Sequence, residues 1–413
     1  MRSRFVAYAL VPLVGFFCQA IYAQTPKAIQ VHASNLTTGI PGNGPLRENE
    51  VKQWLTDQAN HESFTIELPM GLDLGKDAIA IPKDNPLTRA KIELGRQLYF
   101  DRRLSKNAEV SCADCHHPDH GYAFPSPFGI GVAKQTGNRN SPVAYNRILS
   151  TTQFWDGRAA SLEEQAKGPI ANPIEMASNH EATIDFLKKN AVYRMQFEKV
   201  FGRAPHIDDV AKAIASFERV LITGPSPFDA NEPLRKLREA LADELEDLDA
   251  LKKEQPALYA KYEAAKALAE KMPMSESAQR GRELFMGARG NCAACHVGAN
   301  FTDEKYHNLG VGMDAAKPDL GRYEITKNEA DKGAFKTPTV RNIAQTAPYM
   351  HDGSQKTLEE VVDWYVKGGH ANPCLSDKVR KIDMSASEKA DLVEFMKALT
   401  GEFPKVEQAR LPL

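Results

Sequence analysis

The sequence lacks an excess of charge of either sign. Its 413 residues carry 52 Lys and Arg against 54 Asp and Glu, a formal net charge of −2 at pH 7. Without a basic excess the chain has no electrostatic basis for binding nucleic acid or an anionic membrane surface. We therefore expect no nucleic-acid partner.

The sequence also lacks a hydrophobic run long enough to cross a membrane. The apolar run from Phe5 to Phe17 is short of the roughly 20 residues that a transmembrane helix needs. Basic residues precede this run and small residues follow it: Arg2, Arg4, Ala20 and Ala23. This order predicts a cleavable signal peptide over residues 1–23, with an uncleaved anchor as the alternative. We expect a periplasmic protein with no membrane span after cleavage.

Cysteine is scarce, and four of the six cysteines lie in two copies of one motif. The copies are Cys112-Ala-Asp-Cys115-His116 and Cys292-Ala-Ala-Cys295-His296. Because Cys18 lies in the predicted signal peptide, only Cys374 remains, and no internal disulfide can form in the mature chain. We expect Cys374 to be a buried or inert thiol rather than a ligand.

The spacing of the motif has a chemical reason. Two thiols three residues apart can add to the two vinyl groups of a haem, and the next imidazole then faces the iron. One copy would also suit a redox dithiol or a zinc half-site, but two copies in an exported chain favour two covalently bound haem c groups. His116 and His296 are the predicted proximal ligands.

The segments around the motifs repeat within the chain. Ser141-Pro142, Asn146, Asp156-Gly157 and Ser161-Leu162-Glu163-Glu164 recur 196 positions later as Thr337-Pro338, Asn342, Asp352-Gly353 and Thr357-Leu358-Glu359-Glu360. We predict two tandem cytochrome c domains at residues 81–225 and 275–402, mostly α-helical with strands limited to short pairs. Pro86 is expected to open one helix and Ser385 to cap another.

The remaining segments are assigned by composition. Residues 24–80 are predicted to form an extended N-terminal arm, and residues 403–413 a C-terminal tail. Residues 226–274 are predicted to form a charged helical linker, folded as a hairpin with a break at Gln255 and Pro256. This linker is either a solvated spacer or a docking surface for a partner.

Over roughly residues 80–402 the chain resembles the bacterial di-haem cytochrome c peroxidase and MauG-like family. The resemblance rests on Phe154-Trp155-Asp156-Gly157-Arg158, Gln165-Ala166-Lys167-Gly168-Pro169, Glu175-Met176, Arg341-Asn342-Ile343-Ala344 and the segment from Thr346 to Gly353. An enzyme of this kind needs one iron whose sixth position is open or displaceable.

The resemblance implies that the haem on His116 reacts with hydrogen peroxide. Gln165 and Glu175 would line its distal pocket, and Glu175 would act as the general acid–base in O–O cleavage. Trp155 would lie between the haems and pass electrons. The residues alone would favour an exposed helix carboxylate at Glu175 and a core aromatic at Trp155, and the family resemblance reverses these interpretations.

The resemblance further implies a calcium ion between the domains and a homodimer as a candidate assembly. The matching calcium positions are Asn140, Thr346 and Pro348, which offer the hard oxygen ligands that this ion prefers.

The chain departs from ordinary di-haem peroxidases in two places. Their loop histidine, which ligates the resting first haem, is replaced by Gly129-Ile130-Gly131, so the first haem should be ready for peroxide without reductive activation. Their methionine ligand of the second haem is replaced by Tyr365, the MauG-like pattern, and a phenolate stabilises oxidised iron. Met350 and Met384 are the alternative ligands.

Three functions follow from these patterns. The first is a peroxidase that takes electrons from a small cytochrome c or cupredoxin. The second is MauG-like oxidation of side chains in a partner protein. The third is a di-haem electron carrier or peroxide sensor, which the absent loop histidine and Glu175 disfavour.

Overall fold

The computed structural model describes residues 27–30 and 35–413, so the predicted signal peptide lies outside the described residues. The described chain is mostly helical, as predicted. The helices are α1 (Glu48–Thr56), α2 (Arg89–Phe100), α3 (Cys112–Cys115), α4 (Leu162–Ala171), α5 (His180–Lys189), α6 (Ala191–Phe201), α7 (Ile207–Glu218), α8 (Pro227–Ala240), α9 (Leu248–Glu254), α10 (Pro256–Lys271), α11 (Glu276–Met286), α12 (Tyr323–Thr326), α13 (Leu358–Val366) and α14 (Ala386–Lys397).

The strands form two short pairs. Strand β1 (Lys27–Gln30) runs parallel to β2 (Phe64–Glu67), and β3 (Tyr306–Asn308) runs antiparallel to β4 (Ala334–Lys336). Ile29 lies opposite Ile66, and His307 lies opposite Phe335. The sheets are too small to form a layer, so helix packing organises both halves of the molecule.

Each half has its own hydrophobic core, built around one pair of crossing helices. Helix α2 packs on α7 in the first half, and α11 packs on α14 in the second. A glycine lies at each crossing, since a Cβ atom on Gly95 or Gly281 would come within 1.9 Å of a carbonyl oxygen of the facing helix, that of Ala213 or Asp391. The two crossings are equivalent, in keeping with the predicted repeat.

The first core is broader than the predicted domain at residues 81–225. Residues 24–80 were expected to be extended, but the described part of this arm is folded, because apolar residues of β2 and its neighbours join the core: Leu36, Phe64, Ile66, Leu68 and Leu72. Residues 403–413 also return to this core, where the Phe403 ring lies 5.2 Å from those of both Tyr122 and Tyr145.

One of the two expected helix starts is wrong. The helix expected to open at Pro86 begins at Arg89, because the Leu87 carbonyl accepts a hydrogen bond from Phe64 in β2 and the Thr88 side chain caps the helix. Ser385 caps α14 as predicted, and it exchanges hydrogen bonds with Glu388 in a capping box.

The predicted linker is helical, and Gln255 separates α9 from α10 as expected. The arms α8 and α10 pack through a small apolar cluster that includes Leu234, Leu237, Tyr262 and Ala265. At the start of α8, Asp229 forms a fully buried ion pair with Arg341 at 2.7 Å. The linker is therefore anchored to the second half by a charge pair that would be costly to break.

Among the described residues, no helix combines the length and apolar character needed to cross a membrane.

We predict that Gly281→Ala lowers the stability of the second core. The added methyl group would clash with the backbone of Asp391 at 1.9 Å, and overpacking of this kind costs about 1–3 kcal/mol. The change is measured as a lower midpoint temperature of thermal unfolding of the purified holoprotein, followed by circular dichroism.

Gly168→Ala is the matched control, because its Cβ would meet only a Phe154 ring atom at 3.7 Å. This exchange should leave the midpoint unchanged or raise it, since alanine favours helix by about 1 kcal/mol over glycine. Equal midpoints for Gly281→Ala and the wild type would contradict the close helix crossing.

Candidate active site and haem cavities

The first motif borders a cavity of about 140 Å³ in the first half. Helix α3 places Cys112 and Cys115 on its single turn, with His116 at its C-terminal end. Asp114 holds this turn by accepting hydrogen bonds from the backbone and hydroxyl of Ser111 at 2.8 and 2.7 Å. All three motif side chains therefore face one space.

His116 has the properties of a metal ligand. Its Nδ1 atom is buried and has no hydrogen-bond partner among the described residues. Burial lowers the pKa of the imidazole to about 4, so the ring is neutral, the form that binds iron. The Tyr99 hydroxyl donates to the His116 carbonyl at 2.9 Å and fixes the backbone there.

The same cavity is lined by the residues predicted for the distal pocket. Gln165 on α4, Glu175 in the turn that follows α4, and Trp155 all line it. Burial raises the pKa of Glu175, while the charge of Arg158 and a hydrogen bond from Asn172 oppose the rise. Glu175 is therefore not the freely exposed carboxylate that the residues alone would have allowed.

The loop before the repeated Ser141-Pro142 segment is packed against Glu175. Gly129 and Gly131 line the cavity, whereas the Ile130 side chain is 45% exposed. A Cβ on Gly131 would lie 2.1 Å from the Ile174 carbonyl oxygen, and the next amide, Val132, donates to the Glu175 carbonyl at 2.8 Å. Glycine is needed here for this close approach.

Among the residues that the structure describes, His116 is the one histidine that lines the first cavity. His120 is exposed, and its ring is tilted against that of His117 with 5.7 Å between the ring centroids. Within the described residues the loop thus offers no second imidazole to the iron that His116 would bind.

The second motif borders a larger cavity of about 220 Å³. Cys292 and Cys295 lie in and just after a 3₁₀ turn, and His296 follows. The Nδ1 atom of His296 pairs with the Phe301 carbonyl at 3.2 Å, which leaves Nε2 for iron, and burial lowers the pKa of the ring. Such a carbonyl partner orients a ligating imidazole.

Tyr365 lies in the same cavity as His296. Burial raises the pKa of its phenol, and the thiols of the second motif are near enough to add to the rise. No hydrogen bond to its hydroxyl occurs among the described residues. The alternative ligands Met350 and Met384 also line this cavity, together with Met396.

Trp155 and its neighbour Phe154 line both cavities. The indole Nε1 of Trp155 donates to the Asn140 carbonyl at 2.9 Å, and the Trp155 carbonyl accepts from the Lys336 amide of β4 at 2.8 Å. Arg139 reinforces this junction by pairing with Asp156 in the first half and Asp319 in the second. The tryptophan therefore forms part of a wall shared by the two cavities.

The second cavity is lined by cations that the sequence did not single out: Arg147, Lys336, Lys378 and Arg380. Burial lowers the pKa of Lys336 to about 8, although its Nζ bonds to Ser150 at 3.0 Å and to Glu304. These positive charges would attract and neutralise the negatively charged propionates of a haem. No pattern in the sequence pointed to them, because they come from separate loops and a strand.

The predicted calcium positions, Asn140, Thr346 and Pro348, line one cavity. The Asn140 amide nitrogen donates to the Ser126 and Pro127 carbonyls, and its side-chain oxygen accepts no hydrogen bond among the described residues. That oxygen is suitably free for a cation.

Cys374 is partly exposed rather than buried. Its thiol donates to the Glu329 carbonyl at 3.3 Å. It lines neither cavity, so it is not placed to be a ligand of either iron.

Comparison with known proteins identifies the family. The family model for di-haem cytochrome c peroxidase matches residues 89–235, and that for cytochrome c matches residues 278–400. The chain is 36% identical to the methylamine utilization protein MauG of Methylorubrum extorquens, over 81% of this chain and 85% of that protein. The chain belongs to the di-haem cytochrome c peroxidase and MauG family.

Two further comparisons agree. Cytochrome c551 peroxidase of Nitrosomonas europaea is 37% identical, over 78% of this chain and 83% of that protein. The crystal structure of a MauG-like protein associated with microbial copper homeostasis is 30% identical, has a TM-score of 0.65, and covers 78% of this chain and 92% of that one. This di-haem family member is accordingly an oxidoreductase.

Two haem c groups fit the residues present. Each cavity is lined by two thiols, an imidazole whose pKa is lowered by burial, and apolar side chains. Cys112 and Cys115 would hold one group with His116 on its iron, and Cys292, Cys295 and His296 would hold the other.

We predict that the double variant Cys112→Ala/Cys115→Ala binds one haem covalently instead of two, because only the second motif keeps its thiols. The pyridine haemochrome assay on denatured, acid-washed protein measures covalent haem per chain. Cys374→Ala is the control and should retain two. Two covalent haems in the double variant would exclude the first motif as an attachment site.

Proposed function

We propose that this protein reduces hydrogen peroxide at the haem on His116, with electrons from an external redox protein that enter at the haem on His296. The observation that carries the proposal is the first cavity, where Glu175 and Gln165 line the space that His116 borders. A plain electron carrier has no use for a distal carboxyl. The third function, a carrier or sensor, is therefore disfavoured.

A haem c bound there supplies the iron that peroxide approaches and the capacity for redox chemistry. Glu175 would take a proton from one peroxide oxygen and return it to the other, which departs as water. Reduction of one peroxide to two waters takes two protons and two electrons. Solvent provides the protons, and a small cytochrome c or cupredoxin provides the electrons.

Trp155 is the proposed electron route between the centres. Two observations support this route: Trp155 lines both cavities, and it forms hydrogen bonds with Asn140 in the first half and Lys336 in the second. Because the residue is held by the Asn140 carbonyl and by β4, its ring has little freedom to leave this wall.

The second candidate function is MauG-like oxidation of side chains in a partner protein. Two observations favour it: Tyr365 shares the second cavity with His296, and no loop histidine reaches the first. A phenolate ligand would stabilise the oxidised second iron, so the protein would hold oxidising equivalents longer.

The remaining proposals rest on the sequence or the family resemblance. They are export to the periplasm through residues 1–23, a calcium ion at Asn140, Thr346 and Pro348, and a homodimer. Supporting evidence for calcium is the free side-chain oxygen of Asn140.

We predict that the fully ferric protein reacts with stoichiometric hydrogen peroxide in the absence of reductant. Because no loop histidine faces the first iron, EPR should record rapid loss of both ferric signals. In Glu175→Gln the reaction should be slower by about 10²–10⁴-fold, the usual contribution of a general acid–base. The wild-type rate should fall as pH drops through the raised pKa of Glu175. The rate of the Glu175→Gln variant should not show this fall.

Glu181→Gln, an exposed carboxylate change on α5, is the control and should react like the wild type. A ferric wild type that reacts only after one-electron reduction would mean that a sixth ligand blocks the first iron. An unchanged rate in Glu175→Gln would remove that residue from the mechanism.

We predict that Tyr365→Phe alters the ferric optical and EPR spectra of the second haem and raises its reduction potential, because an anionic oxygen ligand is lost. Met384→Leu, which changes a second side chain of the same cavity, should leave both properties unchanged. The opposite pattern would identify Met384 as the ligand and count against the MauG-like function.

A further inference from the structure

Glu218 is a buried carboxyl group with no role in the proposed reaction. It is the last residue of α7, only 6% of it is exposed, and its Oε2 atom has no hydrogen-bond partner among the described residues. A buried carboxylate without a partner is strongly destabilising, so such a group calls for an explanation.

The cations near Glu218 are committed to other groups. Arg219 forms a two-bond pair with Glu163 at 2.6 and 2.9 Å. Arg147 donates to the Gln153 side chain and to the Ser150 hydroxyl at 2.8 Å. Neither guanidinium donates to Glu218, so the carboxyl has no ion-pair partner to keep it charged.

Glu218 lines the first cavity, as do Cys112 and His116. The residue of the second half that is equivalent to Glu218 can be identified from the two helix crossings at Gly95 and Gly281. A Cβ on Gly95 would meet Phe217, and one on Gly281 would meet Phe395, so Glu218 corresponds to Met396. Met396 lines the second cavity, and the two haem pockets therefore differ here by one ionisable group.

Burial favours the protonated form of Glu218 at neutral pH. Burial raises its pKa to about 8, the charges of Arg147 and Arg219 lower it, and that of Glu163 raises it. Titratable and charged groups approach it from α2, α3, α4, its own helix and the turn at 147–149: Tyr99, Cys112, Glu163, Arg219 and Arg147.

We propose that Glu218 binds one proton when the first haem is reduced and releases it when that haem is oxidised. One electron enters the haem and one proton enters the carboxylate, so the cavity gains no net charge. The thioether of Met396 cannot bind a proton in this way. Reduction of the second haem is therefore not coupled to proton binding at this position. The proposal rests on haem attachment in the first cavity, which is part of the proposed function, but not on peroxide turnover.

The sign of the pH dependence follows. Reduction removes a positive charge from the centre, which raises the affinity of the nearby carboxylate for a proton. Between the pKa values of the oxidised and reduced states, reduction consumes a proton, and the potential falls as pH rises.

Redox titrations of the holoprotein between about pH 6 and 9, without peroxide, test the coupling. EPR and optical spectra resolve the two haems. In the wild type, the reduction equilibrium of the first haem should change by up to about tenfold per pH unit, equivalent to about 59 mV. Glu218→Gln should abolish most of this dependence and leave that of the second haem unchanged.

Glu181→Gln should behave like the wild type. If Glu218→Gln fails to load haem, Glu218→Met places in the first pocket the residue that the second pocket already holds. A wild-type first haem whose potential does not change with pH would overturn the proposal, as would a variant that keeps the wild-type slope. Peroxide activity measured in parallel separates this outcome from failure of the proposed function, because the potentials do not depend on turnover.

Discussion

The wall that separates the two cavities is the constraint on which the rest of the structure depends. Trp155 is held from one side by the Asn140 carbonyl and from the other by the Lys336 amide. Arg139 adds a charged clamp between Asp156 and Asp319. The rate of electron exchange between two centres depends on their spacing, and the partly buried, charge-assisted hydrogen bonds of Arg139 help to hold that spacing.

Two similar halves can differ in chemistry because different side chains reach the two cavities. The repeat supplies the same helix crossing and the same thiol and imidazole set on each side. The differences lie in the side chains that reach each cavity: the carboxyl groups Glu175 and Glu218 in the first, and Tyr365 with Lys336 and Lys378 in the second. Side-chain substitution within a constant scaffold is enough to give two similar cavities different chemistry.

The sequence was most informative where chemistry depends on local spacing. The Cys-x-x-Cys-His motifs need only one turn of chain, and the placement of Gln165, Glu175 and Trp155 on one cavity followed from the family resemblance. Contacts between distant segments were not predictable. The pairing of Leu87 with β2 delayed the start of α2, and Glu218 reaches its cavity only because Gly95 lets α7 approach α2. Neither effect leaves a pattern in neighbouring residues.

The position of residues 403–413 has a consequence for how the molecule is assembled. Phe403, Val406 and Leu411 belong to the first core although they follow the second half in the sequence, and the backbone of this tail accepts hydrogen bonds from Arg96 and Arg103. The first half is thus discontinuous along the chain. During synthesis it cannot complete its core before the second half has been made, so a truncation or fusion at residue 403 would disturb the first half rather than the half next to it in sequence.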